Sequence, residues 1–421
     1  MPFSAMIILL MKERSRCNIL QRRRRLFFYK KPQPFTKLDN PNILSYTLGA
    51  TLYMPASMPN ISDMVQSQKY KDLTSFVIDL EDAVGDAELV QCEEKLIEDI
   101  RTLYTLYENN EIQLQQLPLI FIRVRSVEQF SFLTSVLGKY QEVLTGYVFP
   151  KFSAVQGAAY FNLLEQTIQQ HQLKLFGMPI LESRDILYKE SRMDALFAIK
   201  EVLHQYRERV LNVRIGATDF CGIYGIRRRV DSTIYDIAVI RDCIADIVNV
   251  LGREEDGFVI SGPVWEYFSN QRVLKPALRV TPFSEKGALH ARQALLDDYL
   301  DGLIKEVLMD RQNGILGKTI IHPSHIRVVH ALYVVSYEEY LDALSIVEQN
   351  DGQKGVIKSH YANKMNEMKP HTRWAQQILR QAHVYGVYNE SVDFASLLLN
   401  TEAGGSMDAT TEEQVEYFSG L

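Results

Sequence analysis

Gly177-Met-Pro-Ile-Leu-Glu182-Ser183 and, one helix-length further on, Arg214-Ile-Gly-Ala-Thr-Asp219-Phe220 decide how this chain is read. Each is an apolar run that ends in a carboxylate. The intervening segment has the length and pattern of a helix, so the two runs read as parallel neighbours in a β-α-β unit. Carboxylates at the C-terminal ends of adjacent parallel strands stand side by side. Such a pair suits a hard divalent cation.

Working outward, short apolar runs recur at 50–54, 75–80, 119–124, 146–150, 176–181, 211–215, 258–261 and 319–322. Continuous apolar runs of this length suit strands buried on both faces of a parallel sheet. Helical pattern fills the gaps, for example at 90–107, 191–209 and 234–251. Eight strands alternating with helices predict an α/β fold, a TIM (β/α)8 barrel. A doubly wound open sheet is the competing architecture, and the lack of a Gly-rich phosphate turn after the first run counts against it. Beyond the eighth run, 329–349 reads as one helix, 352–355 as a turn and 373–385 as a second helix. The barrel is therefore expected over 41–330, with a C-terminal helical extension over 331–388 acting as a lid or an oligomer contact. The tail, 389–421, is acidic and rich in Gly, Ser and Thr, and is expected to be flexible.

The 421 residues are 46% apolar and 23% charged, ordinary values for a globular protein with a large core. The four cysteines show no metal or disulfide spacing, which fits reduced thiols and a cytoplasmic location. No apolar run reaches the ~18 residues of a membrane span. Residues 1–31 hold nine Lys or Arg against Glu13 alone, a net of +8; the chain as a whole carries −6, which leaves −14 for the rest. Residues 1–40 are expected to be a disordered basic extension. The acidic body argues against nucleic acid as the main partner, and no membrane partner is expected.

The strand ends are where a barrel does its chemistry, and here they are polar. The second run ends in Asp79-Leu-Glu81-Asp82, the third in Arg123 and Arg125, the fourth in Lys151, the fifth in Glu182, the sixth in Asp219 and the eighth in His322. Glu182 and Asp219 are the candidate metal ligands. Mg²⁺ needs only one or two carboxylates, because water and substrate oxygens complete its shell; Mn²⁺ is the alternative ion. Each carboxylate taken singly could instead cap a helix or pair with an Arg.

Arg123 and Arg125 leave the same face of their strand. Either can hold a carboxylate or an enolate oxygen, or else pair with Asp79 or Glu81. Of the three acids in the loop, Glu81 and Asp82 are candidates for direct involvement. Lys151 can bind substrate as an ammonium group or sit in a rim ion pair. Arg227, in Arg227-Arg-Arg229, can grip phosphate or belong to a solvated basic loop. His322 and His371 fit structural roles better than catalytic ones.

At these residues the chain resembles the HpcH/HpaI aldolase and citrate lyase beta-subunit family. The matching pieces are Leu52-Tyr-Met-Pro55, Asp79-Leu-Glu-Asp-Ala-Val84, Ile122-Arg-Val124, Phe149-Pro-Lys151, Pro179-Ile-Leu-Glu182, Gly216-Ala-Thr-Asp219 and Gly317-Lys-Thr-Ile-Ile-His-Pro323, in family order across about 45–330. The resemblance is greatest to a divergent bacterial branch of C–C bond lyases of TIM-barrel fold linked with tellurium-resistance-type stress gene clusters. It implies a Mg²⁺-dependent lyase or aldolase acting on a 2-oxo acid or acyl-type carboxylate through an enolate. In that scheme Glu182 and Asp219 hold the metal, Arg123 meets the substrate, and the acid loop lies beside the metal.

Three departures bear on the substrate. Acidic residues at 86–94 stand where citrate lyase relatives carry a Lys and an Ala-Arg pair, which leaves use of a coenzyme A thioester open. Arg125 replaces a frequent Asn, and the stretch between the two metal carboxylates is longer. Competing readings are a thioester or phospho-enol hydrolase or transferase on the same barrel, and a non-catalytic binding protein of a stress-response complex. The enzyme readings all take a small carboxylate partner, and a homo-oligomer is expected.

Overall fold

The computed structural model describes residues 27–268, 298–349 and 355–400. Its centre is a closed barrel of eight strands: Ala50–Pro55 (β1), Ser75–Asp79 (β2), Leu119–Arg123 (β3), Gly146–Phe149 (β4), Phe176–Leu181 (β5), Val213–Ile215 (β6), Ile260–Trp265 (β7) and Lys318–Ile320 (β8). Every neighbouring pair is parallel, and β8 returns to β1 through Ala50 and Lys318. The (β/α)8 expectation is met.

Strand parity sorts the side chains. Val77, Phe121, Val148, Met178 and Ile180 form a core inside the barrel, while Phe76, Ile78, Ile120, Ile122, Phe149 and Leu181 pack outward beneath the helices. Both faces are buried, which is why the strands read as unbroken apolar runs. The barrel floor is closed from below by Phe35, Leu44 and Leu48, which join the inner cluster. Leu44 lies on the helix Pro41–Thr47, which starts at Pro41 and is capped by the Asn40 side chain.

The observed elements differ from the expected ones in informative places. β7 runs on to Trp265 through Gly262-Pro263, a pair that reads as a turn in sequence. Gly262 is required there by close packing: a Cβ would meet Asp310 Oδ2 at 2.5 Å. The single helix expected over 329–349 is two, Ser324–Tyr333 and Tyr337–Glu348. Val335 breaks it by bridging to Val387, and Ser336 then caps the second helix in a reciprocal box with Glu339. The following helix starts earlier than expected, spanning Met368–Tyr385. The turn expected at 352–355 lies outside the described residues except for Gly355.

Of the two ends expected to be disordered, 27–40 and 389–400 are among the described residues and make specific contacts. Phe28–Lys30 pairs antiparallel with Val387–Tyr388, and the Phe28 and Tyr388 rings stack at 5.9 Å. Lys37 is buried with its ammonium on the carbonyls of Glu142 and Leu144. The helix Phe394–Asn400 buries Ala395 and Leu397. Residues 1–26 and 401–421, where the rest of those expectations falls, lie outside the described residues.

The C-terminal helices do not lie over the strand ends. Tyr385 Oη donates to Tyr46 O at 2.7 Å, and Arg373 donates to Gly252 O at 2.7 Å. Both acceptors sit at the strand-start end of the barrel, so the lid reading is not met. Among the described residues no helix is long and apolar enough to cross a membrane.

Outside β8, Lys318 is fully buried with its ammonium 2.7 Å from Glu306 and 2.8 Å from Asp310. Arg228 grips both oxygens of Glu306, and Tyr235 donates to Asp310 at 2.6 Å. Two cations face two carboxylates, so the helix Asp298–Gln312 is fixed to the barrel by a neutral, hydrogen-bonded cluster.

At the same end as Tyr46, His330 Nε2 accepts the N–H of Ala50 at 3.2 Å. Gly49, at φ 54°, makes room for the ring, because a Cβ would meet His330 Nε2 at 2.7 Å. Burial pushes the imidazole down to about 4. The ordinary value is about 6.5, so the unfolded chain binds this proton first as pH falls. The resulting stability is complete above about 6.5 and is lost as pH falls towards 4. It should amount to something on the order of 3 kcal/mol. Urea unfolding at pH 7 and pH 4 measures it, and His330→Gln should flatten that part of the pH dependence.

Candidate active site

Asp79 and Arg123 occupy paired positions at the ends of β2 and β3. Both side chains therefore leave the same face at the same height, into the barrel mouth. Arg123 Nε and Nη2 each lie 2.6 Å from an Asp79 oxygen, a buried bidentate pair. Asp79 Oδ1 also accepts the Glu81 N–H at 3.0 Å, which bends the chain after β2 into an acidic loop. Arg123 Nη1 then reaches Asp82 at 3.2 Å and lies 3.0 Å from Glu81 Oε2, the latter contact lacking hydrogen-bond alignment. The Arg123 charge is thus shared among three acids.

Lys151 follows β4 in a left-handed backbone conformation, φ 46°. A non-glycine residue rarely adopts this conformation. Here it serves two contacts at once: the Lys151 N–H donates to Glu182 Oε1 at 2.8 Å, and the ammonium pairs with Glu81. Asp79 to Glu182 are thereby joined through Glu81 and Lys151.

Glu182 and Asp219 lie within hydrogen-bonding reach of each other. Ile180 and Arg214 are register partners, which sets Glu182 beside Gly216. A Cβ on Gly216 would sit 2.1 Å from Glu182 Oε2, so only glycine leaves space for the carboxylate. Burial, then the Asp219 charge, pushes Glu182 up to about 8. Burial and then Asp82 raise Asp219.

The acid loop divides its two carboxylates. Burial raises Glu81 in spite of Arg123. Burial also pushes on Asp82, but Arg123 and its neighbours outweigh it and hold that group below the usual range. Burial would lower Arg123, and Asp79 more than reverses the effect, so the guanidinium stays charged. Glu81 also outweighs burial at Lys151 and raises it.

The donor set suits a small hard cation. Among the described residues no group of three or more His, Cys, Asp or Glu is arranged to hold a metal without help. Glu182 and Asp219 are the two carboxylates that could hold such an ion, since Mg²⁺ takes one or two carboxylates and leaves the rest of its shell to water and substrate.

Other expected residues lie elsewhere. Arg125 is turned back on the acid loop, donating to Leu80 O at 2.5 Å and pairing with Asp86. Arg227 is exposed and makes no ion pair among the described residues; its neighbour Arg228 is the buried one. His322 stacks on Phe268 at 4.7 Å, and His371 accepts the Glu367 N–H. The sequence reading gave no role to Tyr53, whose ring lies under the Arg123 guanidinium at 5.4 Å, or to Arg214 below it. The available signal was a lone charge inside an apolar strand, Asn212-Val-Arg-Ile215.

A closed parallel barrel with acids and bases converging at its strand ends defines a barrel enzyme. The chain belongs to the C–C bond lyases of the TIM-barrel fold, whose sequence profile matches residues 42–387. No curated protein sequence matches it.

Among solved structures, it is similar to the CitE protein of Mycobacterium tuberculosis, solved with magnesium, acetoacetate and coenzyme A. Identity there is 18%, over 79% of this chain and 97% of that one, with a TM-score of 0.47. It is also similar to the Haloferax volcanii malate synthase magnesium/glyoxylate complex (12% identity, 66% and 72% coverage, TM-score 0.43). A third is the HpcH/HpaI aldolase from Desulfitobacterium hafniense (13% identity, 66% and 88% coverage, TM-score 0.38). Likenesses this distant leave the ligands of the present chain to its own residues.

Because Asp79 and Arg123 are both buried, removing one partner strands the other. Arg123→Met should cost about 3–5 kcal/mol in urea unfolding. The double variant Asp79→Leu/Arg123→Met should recover much of that loss.

Proposed function

We propose that the protein is a Mg²⁺-dependent lyase or aldolase that binds a 2-oxo acid or acyl-type carboxylate and makes or breaks a carbon–carbon bond through an enolate. The observation that carries this reading is the Glu182–Asp219 pair. It is two acids held in contact, with Glu182 pushed up to about 8 by burial and by its neighbour's charge. Five carboxylates (Asp79, Glu81, Asp82, Glu182, Asp219) share the mouth, and among the described residues Arg123 and Lys151 are the cations paired with them. That excess of negative charge favours a divalent cation, and Mn²⁺ suits the same donors.

Glu182 and Asp219 would hold the metal, and the metal when bound supplies Lewis acidity to the oxygen on which negative charge develops. The remaining work belongs to side chains. Lys151 is half exposed, and its ammonium offers charge to an entering carboxylate. Arg123 has most of its donors committed to Asp79 and Asp82, so it acts on substrate through its charge and its remaining Nη hydrogens.

Glu81 and Asp82 have environments that push them apart, the pattern of a proton carrier beside a fixed charge. In the cleavage direction the hydroxyl proton of the departing carbonyl carbon passes to Glu81. The bonding electron pair stays on the 2-oxo fragment as the enolate, whose carbon then takes up a proton. Use of a coenzyme A thioester would need a phosphate grip, for which exposed Arg227 is available.

Isothermal titration with Mg²⁺ tests the central claim. The unmodified chain should bind one ion, and Glu182→Gln and Asp219→Asn should each lose at least about tenfold in affinity. Both variants should keep or gain thermal stability, since each removes one member of a repelling pair. No heat of Mg²⁺ binding by the unmodified chain, or full binding by both variants, would rule the reading out.

A further inference from the structure

Alternation along β4 turns Tyr147 and Phe149 outward beneath the helices and Val148 inward. Continued past Phe149, it would turn Lys151 outward and Phe152 inward. The reverse is found. Phe152 is fully buried in the outer cluster, its ring 6.0 Å from that of Phe161, and a Cβ on Gly157 would meet it at 2.2 Å. The Lys151 ammonium lies in the mouth, on Glu81. The left-handed backbone at Lys151, φ 46°, makes the exchange. Past it the chain stays docked on β5, because the Phe152 N–H donates to Ile180 O at 3.1 Å.

The same turn aims a main-chain donor. The Lys151 N–H meets Glu182 Oε1 at 2.8 Å, while Oε2 lies over Gly216, where a Cβ would come within 2.1 Å. Both oxygens of this buried carboxylate are thus placed, one by a donor and the other by a gap. A side-chain donor can swing away with its rotamer. A backbone N–H beside a docked strand moves only if the backbone does. Any change of φ at 151 rotates the peptide bond that carries this N–H against the docked Phe152. The left-handed conformation is open to Gly and Asn, strained for other residues and most strained for β-branched ones.

We propose that Lys151 is a positioning residue for the metal: its left-handed main chain, rather than its charge, holds the Glu182 carboxylate in the orientation that ligates the ion. The inference rests on the reading of Glu182 as a metal ligand given above. A hydrogen-bonded partner behind a ligand orients it, and loss of such a partner weakens metal binding by about 10–100-fold. Lysine adds what glycine could not, an ammonium group that reaches Glu81 from the same backbone.

The test is isothermal titration of the full chain with Mg²⁺, comparing Lys151→Gly, Lys151→Asn, Lys151→Ala and Lys151→Val. All four lack the ammonium and keep the N–H. They differ in how readily residue 151 turns left-handed: Gly and Asn readily, Ala less so, Val least. Lys151→Gly and Lys151→Asn should agree within about threefold in affinity, and Lys151→Val should bind at least about tenfold more weakly than either. Lys151→Ala should fall between them, and it decides the matter where Lys151→Val does not fold. A turn with a purely structural role would lower the urea midpoint of Lys151→Val and leave Mg²⁺ affinity level across the series. Equal affinity in all the folded variants therefore overturns the positioning role and leaves the proposed function standing. Failure of the unmodified chain to bind Mg²⁺ overturns the proposed function and this inference with it.

Discussion

The Asp79–Arg123 pair is the interaction on which the rest of the mouth depends. Neighbouring parallel strands bring the two residues level, and their fork-to-fork contact is buried from water. Through Asp79 the pair fixes the Glu81 N–H and hence the course of the acid loop. Through Arg123 it supplies the positive charge that opposes the rise of Glu81, Glu182 and Asp219. Acids this close and this buried repel one another, and they are tolerated because a guanidinium too firmly protonated to lose its charge lies among them.

Two ionic clusters of opposite character result. The one outside β8 is matched in charge: Lys318 and Arg228 face Glu306 and Asp310, and Tyr235 and the Ile234 N–H also donate to those carboxylates. Such a cluster holds a helix in place and has no call for a ligand. Among the described residues, the one in the mouth has acids in excess around Glu182 and Asp219.

The ends of the chain bear on the other pole of the barrel. The helix Pro41–Thr47, the strand Phe28–Lys30 and the helix Met368–Tyr385 gather where the barrel strands begin. They bury Phe35, Leu44 and Leu48 against the inner core, at the end away from the candidate site. Stability and chemistry thus occupy opposite poles, the usual division in this architecture.

Much of this was legible in the sequence. Eight apolar runs with polar ends declare a parallel sheet buried on both faces, and the lack of a Gly-rich turn after the first run favours the closed barrel over the open sheet. The carboxylates Glu182 and Asp219 are local to their strand ends, so their convergence follows from the β-α-β repeat alone. What the sequence by itself could not decide were relations across the barrel. Asp79 takes Arg123 because strand register sets them level. Arg125, two residues on, turns back to the loop and Asp86. Lys151 links two acids only because its backbone adopts a left-handed turn. Arg214 meets Thr51, Tyr53 and Thr319 only once the sheet has closed on itself. Apolar periodicity is encoded residue by residue, whereas the pairing of charges across a closed cylinder depends on distances that exist only after every strand has found its neighbours.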